Sequence, residues 1–376
     1  MEPIRMVDLV TQYHKIKPEV DAAVAQVMET AAFINGPEVK AFQSELEAYL
    51  DVKHVIPCAN GTDALQVALM ALDLKPGDEV ITATFTYVAT AEVIALLQLT
   101  PVLVDVDPET FLIDPAAVEA AITPKTKAIV PVHLFGQCAN MDEIMRIAEE
   151  HNLAVVEDTA QAIGSEYTFN NGKTAKAGTM GTIGATSFFP SKNLGCFGDG
   201  GAIFTQNDEL AAKMRMIVNH GQSKQYYHDS IGVNSRLDSI QAAVLRIKLR
   251  LLDSYNIARQ RAAAVYDDAF KDHPKLEIPA RATGSTHVFH QYTLKVKSGN
   301  RTALRDFLAT KEVPAMIYYP VALHMQSAYQ DDRYVKGTFP ITEELVEEVI
   351  SLPMHTELTA EQQAHIIESV LEFLNQ

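Results

Sequence analysis

The sequence contains no tryptophan and only three cysteines among its 376 residues. Cys58, Cys138 and Cys196 are too few and too widely spaced for a disulfide framework or a zinc motif, so we interpret them as buried apolar side chains. Basic residues are scarce as well, because 31 lysines and arginines face 48 aspartates and glutamates, a formal net charge of -17. Non-specific nucleic-acid binding requires a basic surface, so this balance argues against a nucleic-acid partner.

Long apolar runs are also missing. No stretch is long enough to span a bilayer, and the N-terminus, with Glu2 and Asp8, lacks the pattern of a signal peptide. We therefore expect a cytoplasmic protein without a membrane partner. The content of 47% hydrophobic and 21% charged residues is ordinary for a globular protein. A chain of this length exceeds the usual size of one core, which predicts a large domain and a smaller one.

Short apolar runs alternate with helical segments through the first half of the chain. Strands are predicted at 54–58, 79–84, 101–106, 128–132, 153–156, 185–189 and 201–205. Apolar strands separated by helices predict an α/β fold with a mostly parallel sheet that is covered on both faces. A long helix over 237–270 and a weaker α+β pattern follow, with one helix at 342–350. We predict an N-terminal segment over 1–30 packing near the small domain, a large domain over 31–245 and a small domain over 246–376.

Lys192 lies just beyond the predicted strand at 185–189, with Ser187 before it and Gly195 after it. A lysine at such a position is usually a solvated charge in a loop, since lysine is mostly exposed. The alternative is a covalent anchor for a cofactor. Position alone leaves both interpretations open.

Asp158 follows the apolar strand at 153–156, at its carboxyl end. In open α/β sheets, ligands bind beyond these ends. The side chain could cap the next helix. It could also keep a heteroaromatic nitrogen protonated, as a pyridine ring that serves as an electron sink requires.

A third feature is the segment at 60–63, where Gly61 and Thr62 open a helix directly after a strand. Free backbone N–H groups and the helix dipole suit a phosphate at this place, although a simple helix cap has the same composition. The segment has neither the lysine of a Walker loop nor a GxGxxG pattern, which disfavours a nucleoside triphosphate. Lysine, aspartate and phosphate cup together are the parts that a pyridoxal phosphate enzyme needs.

Six ordered segments carry a resemblance to a known family. They are residues 59–64, 84–90, 157–161, 187–195, 198–201 and 232–238. In these segments the sequence resembles the DegT/DnrJ/EryC1/StrS nucleotide-sugar aminotransferases, and the similarity extends over nearly the full chain. The resemblance implies a pyridoxal-phosphate-dependent homodimer of fold type I, like aspartate aminotransferase, with a large mixed-sheet domain and a smaller C-terminal α+β domain. It implies no metal.

The resemblance implies roles for the residues around the cofactor ring. Lys192 would form the Schiff base with the cofactor and later act as the base that moves the proton. Asp158 would pair with the pyridine nitrogen, and Gln161 would lie near the ring and its hydroxyl. Tyr87, rather than Phe85, would stack on the ring.

It also implies how the phosphate is held. The N–H groups of Thr62 and Asp63, in the turn that begins at Gly61, and the hydroxyl of Ser187 would bind it. Asn234 would reach the phosphate from the neighbouring subunit, so that each site needs two chains.

Within the family, the sequence is most similar to enzymes that aminate C3 of a UDP-linked 2-acetamido-3-oxo-glucuronic acid with L-glutamate, for surface polysaccharides such as the lipopolysaccharide O-antigen. Arg236 would then bind a carboxylate, or else pair with Asp238. Tyr318 and Tyr319 occupy the place where such relatives have a His-Tyr pair, so Tyr318 departs from the pattern. His324 would lie near the nucleotide sugar or be structural.

Three other functions remain as alternatives. A C4 aminotransferase acting on a 4-keto-6-deoxy dTDP- or UDP-sugar would share every cofactor residue. A sugar dehydratase of the same fold would carry histidine in place of Lys192. A regulatory protein without enzymatic activity would not need the lysine, Asp158, Gln161 and Ser187 all to be present.

Overall fold

The computed structural model describes residues 2–297 and 300–376. The helices in this part of the chain are α1 Leu9–Thr30, α2 Pro37–Leu50, α3 Gly61–Ala71, α4 Ala89–Leu96, α5 Pro115–Ala120, α6 Met141–His151, α7 Asp208–Ile217, α8 Ser239–Leu249, α9 Leu252–Phe270, α10 Arg301–Thr310, α11 Pro340–Glu348 and α12 Ala360–Leu374. The strands are β1 His54–Cys58, β2 Glu79–Ala83, β3 Thr100–Val104, β4 Thr126–Val130, β5 Ala154–Asp158, β6 Glu166–Thr168, β7 Thr174–Lys176, β8 Ile183–Ser187, β9 Gly201–Thr205, β10 Gln222–Lys224, β11 Tyr227–His228, β12 Leu276–Glu277, β13 Tyr292–Val296 and β14 Val349–Leu352. Within the described residues, no helix is both long enough and apolar enough to cross a membrane.

Seven strands form the central sheet, in the order β1-β9-β8-β5-β4-β2-β3. The pairs β2–β3, β2–β4, β4–β5 and β5–β8 are parallel, and β9 runs antiparallel to both of its neighbours. The predicted α/β fold with a mixed, mostly parallel sheet is confirmed. Because β5 and β8 are parallel neighbours, their carboxyl ends, with Asp158 and Ser187, lie at the same edge of the sheet.

Helices cover both faces of this sheet, which explains why its strands are apolar runs. On β4, Ile129 packs in a cluster with Ile144 of α6, whereas Val130 packs in the opposite cluster with Leu65 of α3. Successive side chains of a strand point to opposite faces. The rigid layer that results positions the loops at its edge.

A second, three-stranded antiparallel sheet has the order β12-β13-β14. Its core joins Tyr266 of α9, Leu294 of β13 and Ile366 of α12, and Ile4 from the N-terminal segment also packs there. Helix α1 lies against α8, where Val20 packs on Val244. The domain boundaries remain a prediction, and the one after residue 245 falls inside α8.

Two helix predictions are wrong in their extent. The helix predicted over 237–270 is two helices, because the chain turns between Leu249 and Leu252, and both leucines are buried in one cluster. The helix predicted at 342–350 ends at Glu348, since Val349 and Ile350 pair with β13 as β14. β-Branched residues favour such a buried strand.

Three histidines are buried next to the small sheet, and we therefore expect the free energy of unfolding to fall in acid. Burial lowers the pKa of His287 and His290 well below 6.5, and that of His355 to about 4. Below pH 6.5 the unfolded chain therefore binds protons that the folded chain does not, so stability falls as pH falls. We expect urea unfolding at pH 7 and pH 5 to show a loss of up to about 1.4 kcal/mol per histidine per pH unit.

His355→Asn is the matched variant for this prediction. The Nδ1 atom of His355 accepts a hydrogen bond from the N–H of Glu357 at 3.2 Å, and the asparagine oxygen, also bonded to Cγ, can replace that acceptor. The variant should lose less stability between pH 7 and pH 5 than the natural protein. An identical loss of stability in the variant and the natural protein would contradict the contribution of His355 to acid sensitivity.

Candidate active site

The loop that carries Lys192 leads from β8 to β9 and is fixed from several sides. The N–H of Lys192 donates to the carbonyl of Phe189 at 2.8 Å. The buried Asn193 donates from Nδ2 to Asn256 Oδ1 at 2.8 Å and to the carbonyl of Val288 at 2.9 Å. The backbone next to the lysine is therefore tied to α9 and to the segment before β13.

A second buried lysine, Lys248 of α8, supports the same loop. Its Nζ donates to the carbonyl of Gly195 at 2.6 Å and lies 5.2 Å from the centre of the Phe197 ring. Sequence reasoning did not identify this residue. The only signal was a lysine between the apolar residues Ile247 and Leu249.

Burial lowers the pKa of Lys192 to about 8, while the negative charge of Asp158 acts in the opposite direction. An amine buried in this way is partly neutral near neutral pH, as a nucleophile or base must be. Lys192 is half-buried, which does not agree with its interpretation as an ordinary solvated loop charge.

Asp158 ends β5 with only 7% of its surface exposed. Its carboxylate accepts hydrogen bonds from Thr90 Oγ1 at 2.9 Å and from the N–H of Ala160 at 3.1 Å. Both donors are neutral, and no cationic side chain of the described residues forms an ion pair with it. A buried carboxylate is stabilised by a positive partner, so this one suits a protonated ligand nitrogen.

The neighbouring Glu157 points to the opposite face of the sheet and is fully buried. Its carboxylate accepts from His133 Nε2 at 2.9 Å and from the N–H groups of Gly178, Met180 and Gly181 at 2.8, 2.7 and 2.5 Å. The N–H of Ala139 donates to His133 Nδ1 at 3.1 Å, so the ring proton lies on Nε2. Glu157 therefore has a structural role, which its place beside Asp158 in the sequence did not show.

The N-terminus of α3 meets the end of β8. A Cβ atom on Gly61 would lie 2.6 Å from Ser187 Cβ, so only glycine allows this approach. Among the described residues, the N–H groups of Gly61 and Thr62 have no acceptor. The N–H of Asp63, expected to bind phosphate, instead donates to Asn60 Oδ1 at 2.8 Å. The free donors of the cup are thus those of Gly61 and Thr62.

Gln161 connects the site to an aromatic wall. Its Oε1 accepts from the N–H of Phe135 at 2.8 Å, and its Nε2 donates to the hydroxyl of Tyr319 at 3.0 Å. The Tyr87 ring is 58% exposed and its centre lies 6.4 Å from that of Tyr319, whereas Phe85 is 1% exposed. Tyr87 therefore has a ring face available to a ligand, and Phe85 belongs to the core.

His324 has no ring nitrogen available for a ligand. Its Nδ1 lies 2.9 Å from Thr84 Oγ1, its Nε2 lies 3.2 Å from Glu343 Oε1, and the side chain is buried. The suggested contact with the nucleotide sugar is therefore not supported, and the structural alternative fits these hydrogen bonds.

The remaining predicted residues all keep some exposed surface. Asn234 is exposed on a loop whose backbone bridges to Asn219. Arg236 is partly buried, and within the described residues it forms no ion pair with Asp238 or any other carboxylate. Tyr318 is half-buried beside Tyr319, with ring centres 6.1 Å apart, and burial raises its pKa. The guanidinium of Arg236 thus remains available to an anion.

These residues fit pyridoxal phosphate. The N–H groups at the start of α3 and the nearby Ser187 suit its phosphate, and the Lys192 amine can react with its aldehyde. The Asp158 carboxylate has no cationic partner among the described residues. On a mixed seven-stranded α/β sheet, this arrangement defines a class, the pyridoxal-phosphate-dependent aminotransferases of fold type I.

The chain belongs to the DegT/DnrJ/EryC1/StrS aminotransferase family, whose model matches residues 14–371. It is 46% identical to the "Pleiotropic regulatory protein" of Geobacillus stearothermophilus, with 98% of each chain covered. It is also 46% identical to the UDP-2-acetamido-2-deoxy-3-oxo-D-glucuronate aminotransferase of Pseudomonas aeruginosa, over 94% of this chain and 95% of the relative.

A third relative is the dTDP-3-amino-3,4,6-trideoxy-alpha-D-glucose transaminase of Streptomyces venezuelae, 40% identical over 98% of this chain and 96% of that protein. The crystal structure of S. venezuelae DesV in complex with a ketimine intermediate has a TM-score of 0.95 at 38% identity, with 100% of both chains covered. The chain is therefore a pyridoxal-phosphate-dependent nucleotide-sugar aminotransferase, and the predicted family, fold type and cofactor are confirmed.

Proposed function

We propose that the protein transfers the amino group of L-glutamate to the 3-keto group of a UDP-linked 2-acetamido-2-deoxy-hexuluronic acid, for surface polysaccharide biosynthesis. The observation that carries this proposal is the 46% identity, over nearly the full chain, to a relative named for that substrate. The guanidinium of Arg236, which forms no ion pair within the described part of the chain, is consistent with a substrate that bears a carboxylate.

Four side chains would hold the reactive part of the cofactor. When bound, pyridoxal phosphate supplies an electron sink for the carbon that carries the amine. Lys192 would attach the cofactor and then, as a free amine, move the proton between the donor carbon and the cofactor. Asp158 would hold the proton on the ring nitrogen, Gln161 would orient the ring from its edge, and Tyr87 would cover one face.

The phosphate would be bound by the N–H groups of Gly61 and Thr62 and the hydroxyl of Ser187. Asn234 is exposed in the single chain, and we propose that it completes the phosphate site of a second copy. The active unit would then be a homodimer in which both copies contribute to each site.

Mixing two inactive variants tests this shared site. Lys192→Ala and Asn234→Ala proteins, unfolded and refolded together, should regain about a quarter of the natural activity, because half of randomly paired dimers contain one intact site. Each variant refolded alone is the control. Mixed dimers, shown by mass spectrometry, without regained activity would contradict the exchange of Asn234.

At the substrate end, we propose that Arg236 binds a carboxylate of the hexuronic acid or of glutamate, and that Tyr318 and Tyr319 line the sugar. Arg236→Ala should raise the KM of one of these two acids by about 10- to 100-fold, because hydrogen bonds between ions are strong. Cofactor affinity should hardly change. Steady-state kinetics with each substrate varied in turn measures the effect.

Arg236→Lys is the matched variant, since it keeps the charge but loses the bidentate geometry. It should give an intermediate KM. An unchanged KM for both acids in Arg236→Ala would refute the role.

The second candidate is a dTDP-sugar substrate, or C4 amination of a 4-keto-6-deoxy dTDP- or UDP-sugar. The relative from S. venezuelae, 40% identical, supports the dTDP part, although its name gives an amino group at C3. The dehydratase alternative requires histidine at the position of Lys192. The regulatory name of one relative does not explain the retained set of Lys192, Asp158, Gln161 and Ser187.

The test is a panel of UDP- and dTDP-linked 3-keto and 4-keto sugars with L-glutamate, with products assigned by NMR. We expect amination at C3 of the UDP-hexuronic acid, with the highest kcat/KM in the panel. A higher kcat/KM for a 4-keto or dTDP-linked sugar would replace the proposed substrate with the second candidate.

A further inference from the structure

The hydroxyl of Thr90 is the one side-chain donor that reaches the Asp158 carboxylate within the described part of the chain. Thr90 Oγ1 donates to Asp158 Oδ2 at 2.9 Å, and the two residues are 1% and 7% exposed. A hydroxyl carries a single hydrogen, so this donor is fully used on the carboxylate. The contact joins α4 to the end of β5, across 68 residues of sequence.

The two donors to Asp158 approach different oxygens of its carboxylate. Thr90 binds Oδ2, and the N–H of Ala160 binds Oδ1 at 3.1 Å. Because both oxygens are held, the plane of the carboxylate cannot rotate without losing a hydrogen bond. The orientation of the group therefore depends on α4 as well as on the chain that follows β5.

The hydroxyl of Thr90 is directed away from its own helix. Threonine in a helix often donates to a carbonyl three or four residues earlier. Thr30 does so at the end of α1, where its Oγ1 donates to the carbonyl of Gln26 at 3.0 Å. Thr90, which follows Tyr87 by three residues, donates to Asp158 instead. The start of α4 thus supports the carboxylate and also carries the aromatic ring proposed to cover the cofactor.

A hydrogen bond from a hydroxyl stabilises an ionised carboxylate more than the protonated acid. The carboxylate then has less tendency to take the proton from a nitrogen that it faces. Without the donor, the N–H bond would break more readily in favour of an O–H bond on Asp158, which would leave both groups neutral. A ring with a neutral nitrogen is a weaker electron sink.

We propose that Thr90 is a positioning residue for Asp158, whose hydroxyl keeps that carboxylate ionised and oriented so that the proton remains on the ring nitrogen of the cofactor. This inference rests on the proposed role of Asp158. Among the described residues, Lys192 and Tyr319 are the titratable groups affected by the charge of Asp158, and substitutions at Thr90 leave both in place. A purely structural hydroxyl would hold α4 against β5 without affecting the proton.

Thr90→Val removes the donor and keeps the branched shape, whereas Thr90→Ser keeps the hydroxyl. The measurement is the ¹⁵N chemical shift of the ring nitrogen in protein loaded with ¹⁵N-labelled pyridoxal phosphate. Free cofactor with its ring nitrogen protonated or unprotonated gives the two reference values. In Thr90→Val the ratio of protonated to unprotonated nitrogen should fall by about tenfold, because a hydrogen bond to a charged group is lost. Thr90→Ser should keep the natural shift.

The first half of the reaction, with glutamate alone, should slow by about tenfold in Thr90→Val with little change in the KM for glutamate. Thr90→Ser should restore most of the rate. The matched control is Thr82→Val, since Thr82 is buried in the neighbouring β2 and its Oγ1 donates to the carbonyl of Val130, also at 2.9 Å. This variant should change neither the ring-nitrogen shift nor the rate. If Thr90→Val does not fold, Thr90→Ala removes the same donor with a smaller side chain.

An unchanged ring-nitrogen shift in the variant without the donor, or an equal change in Thr90→Ser or Thr82→Val, would overturn the proposal. Asp158→Asn separates this result from a failure of the proposed function. If Asp158→Asn slows the reaction with glutamate and Thr90→Val does not, only the role of Thr90 is refuted. If neither variant slows it, the role proposed for Asp158 is refuted as well.

Discussion

Replacing Lys192 with alanine should lower transamination by about 10³-fold or more, while the protein remains folded. In the proposed mechanism two contributions would be lost at once, the covalent attachment of the cofactor and the positioned base that moves the proton. The fold should be little affected, because the described hydrogen bonds of Lys192 involve its backbone and those of the loop involve Asn193. Single-turnover assays at saturating cofactor measure the loss of rate, and thermal unfolding measures stability.

Two variants separate the amine from the charge. Lys192→Arg keeps a cation but cannot attach an aldehyde, so it should be as inactive as the alanine variant. Lys213→Ala removes a lysine of α7 that pairs with Asp73, and it should keep full activity. A Lys192→Ala protein that transaminates at the natural rate would contradict the mechanism.

Replacing Asp158 with asparagine should lower turnover by about 10²-fold, since in its proposed role a neutral amide could not hold a proton on the cofactor ring by its charge. The amide oxygen can still accept from Thr90 or Ala160, so stability should change little. Rapid-scan kinetics with glutamate alone isolates the first half of the reaction. A turnover within twofold of the natural value would exclude Asp158 from this role.

Glu157→Gln is the matched control, one residue away in the same strand. Its carboxylate binds His133 and three backbone N–H groups, so the amide should destabilise the fold by about 2 to 4 kcal/mol. Activity per folded molecule should be retained. The two neighbouring acids thus have opposite expected effects on stability and on turnover.

The sequence pattern predicted the central sheet well, because strands covered on both faces become apolar runs, as in β4 with Ile129 and Val130. It also indicated Lys192 and Asp158, which follow strands whose carboxyl ends meet at one edge. The pattern could not show the turn between Leu249 and Leu252. A continuous helix and two helices have nearly the same local periodicity.

Other parts of the site depend on contacts between distant residues. The side-chain oxygen of Asn60 accepts a hydrogen bond from the N–H of Asp63, so that N–H is not free to bind a phosphate. The sequence alone does not show whether the N–H of Asp63 or that of Thr62 is free, because this depends on the three-dimensional structure. The hydrogen bonds of His324 fit a structural role, because Thr84 and Glu343, far apart in the sequence, contact its two ring nitrogens. The local sequence shows which residue type is present, whereas its hydrogen-bond partners are determined by tertiary packing.

Lys248 and Val288 show the same limit. These two supports of the lysine loop come from segments more than 50 residues further along the chain, through Gly195 for Lys248 and through Asn193 for Val288. No motif in the sequence joins them.

Borohydride reduction of the cofactor-loaded protein, followed by peptide mass spectrometry, tests the central claim most directly. Lys248 is the internal comparison, because burial lowers its pKa to about 8 as well, yet its Nζ is bound to the carbonyl of Gly195. The account predicts a reduced pyridoxyl group on the peptide that contains Lys192 and on no other. Attachment to Lys248 or another lysine, or no attachment at all, would contradict it.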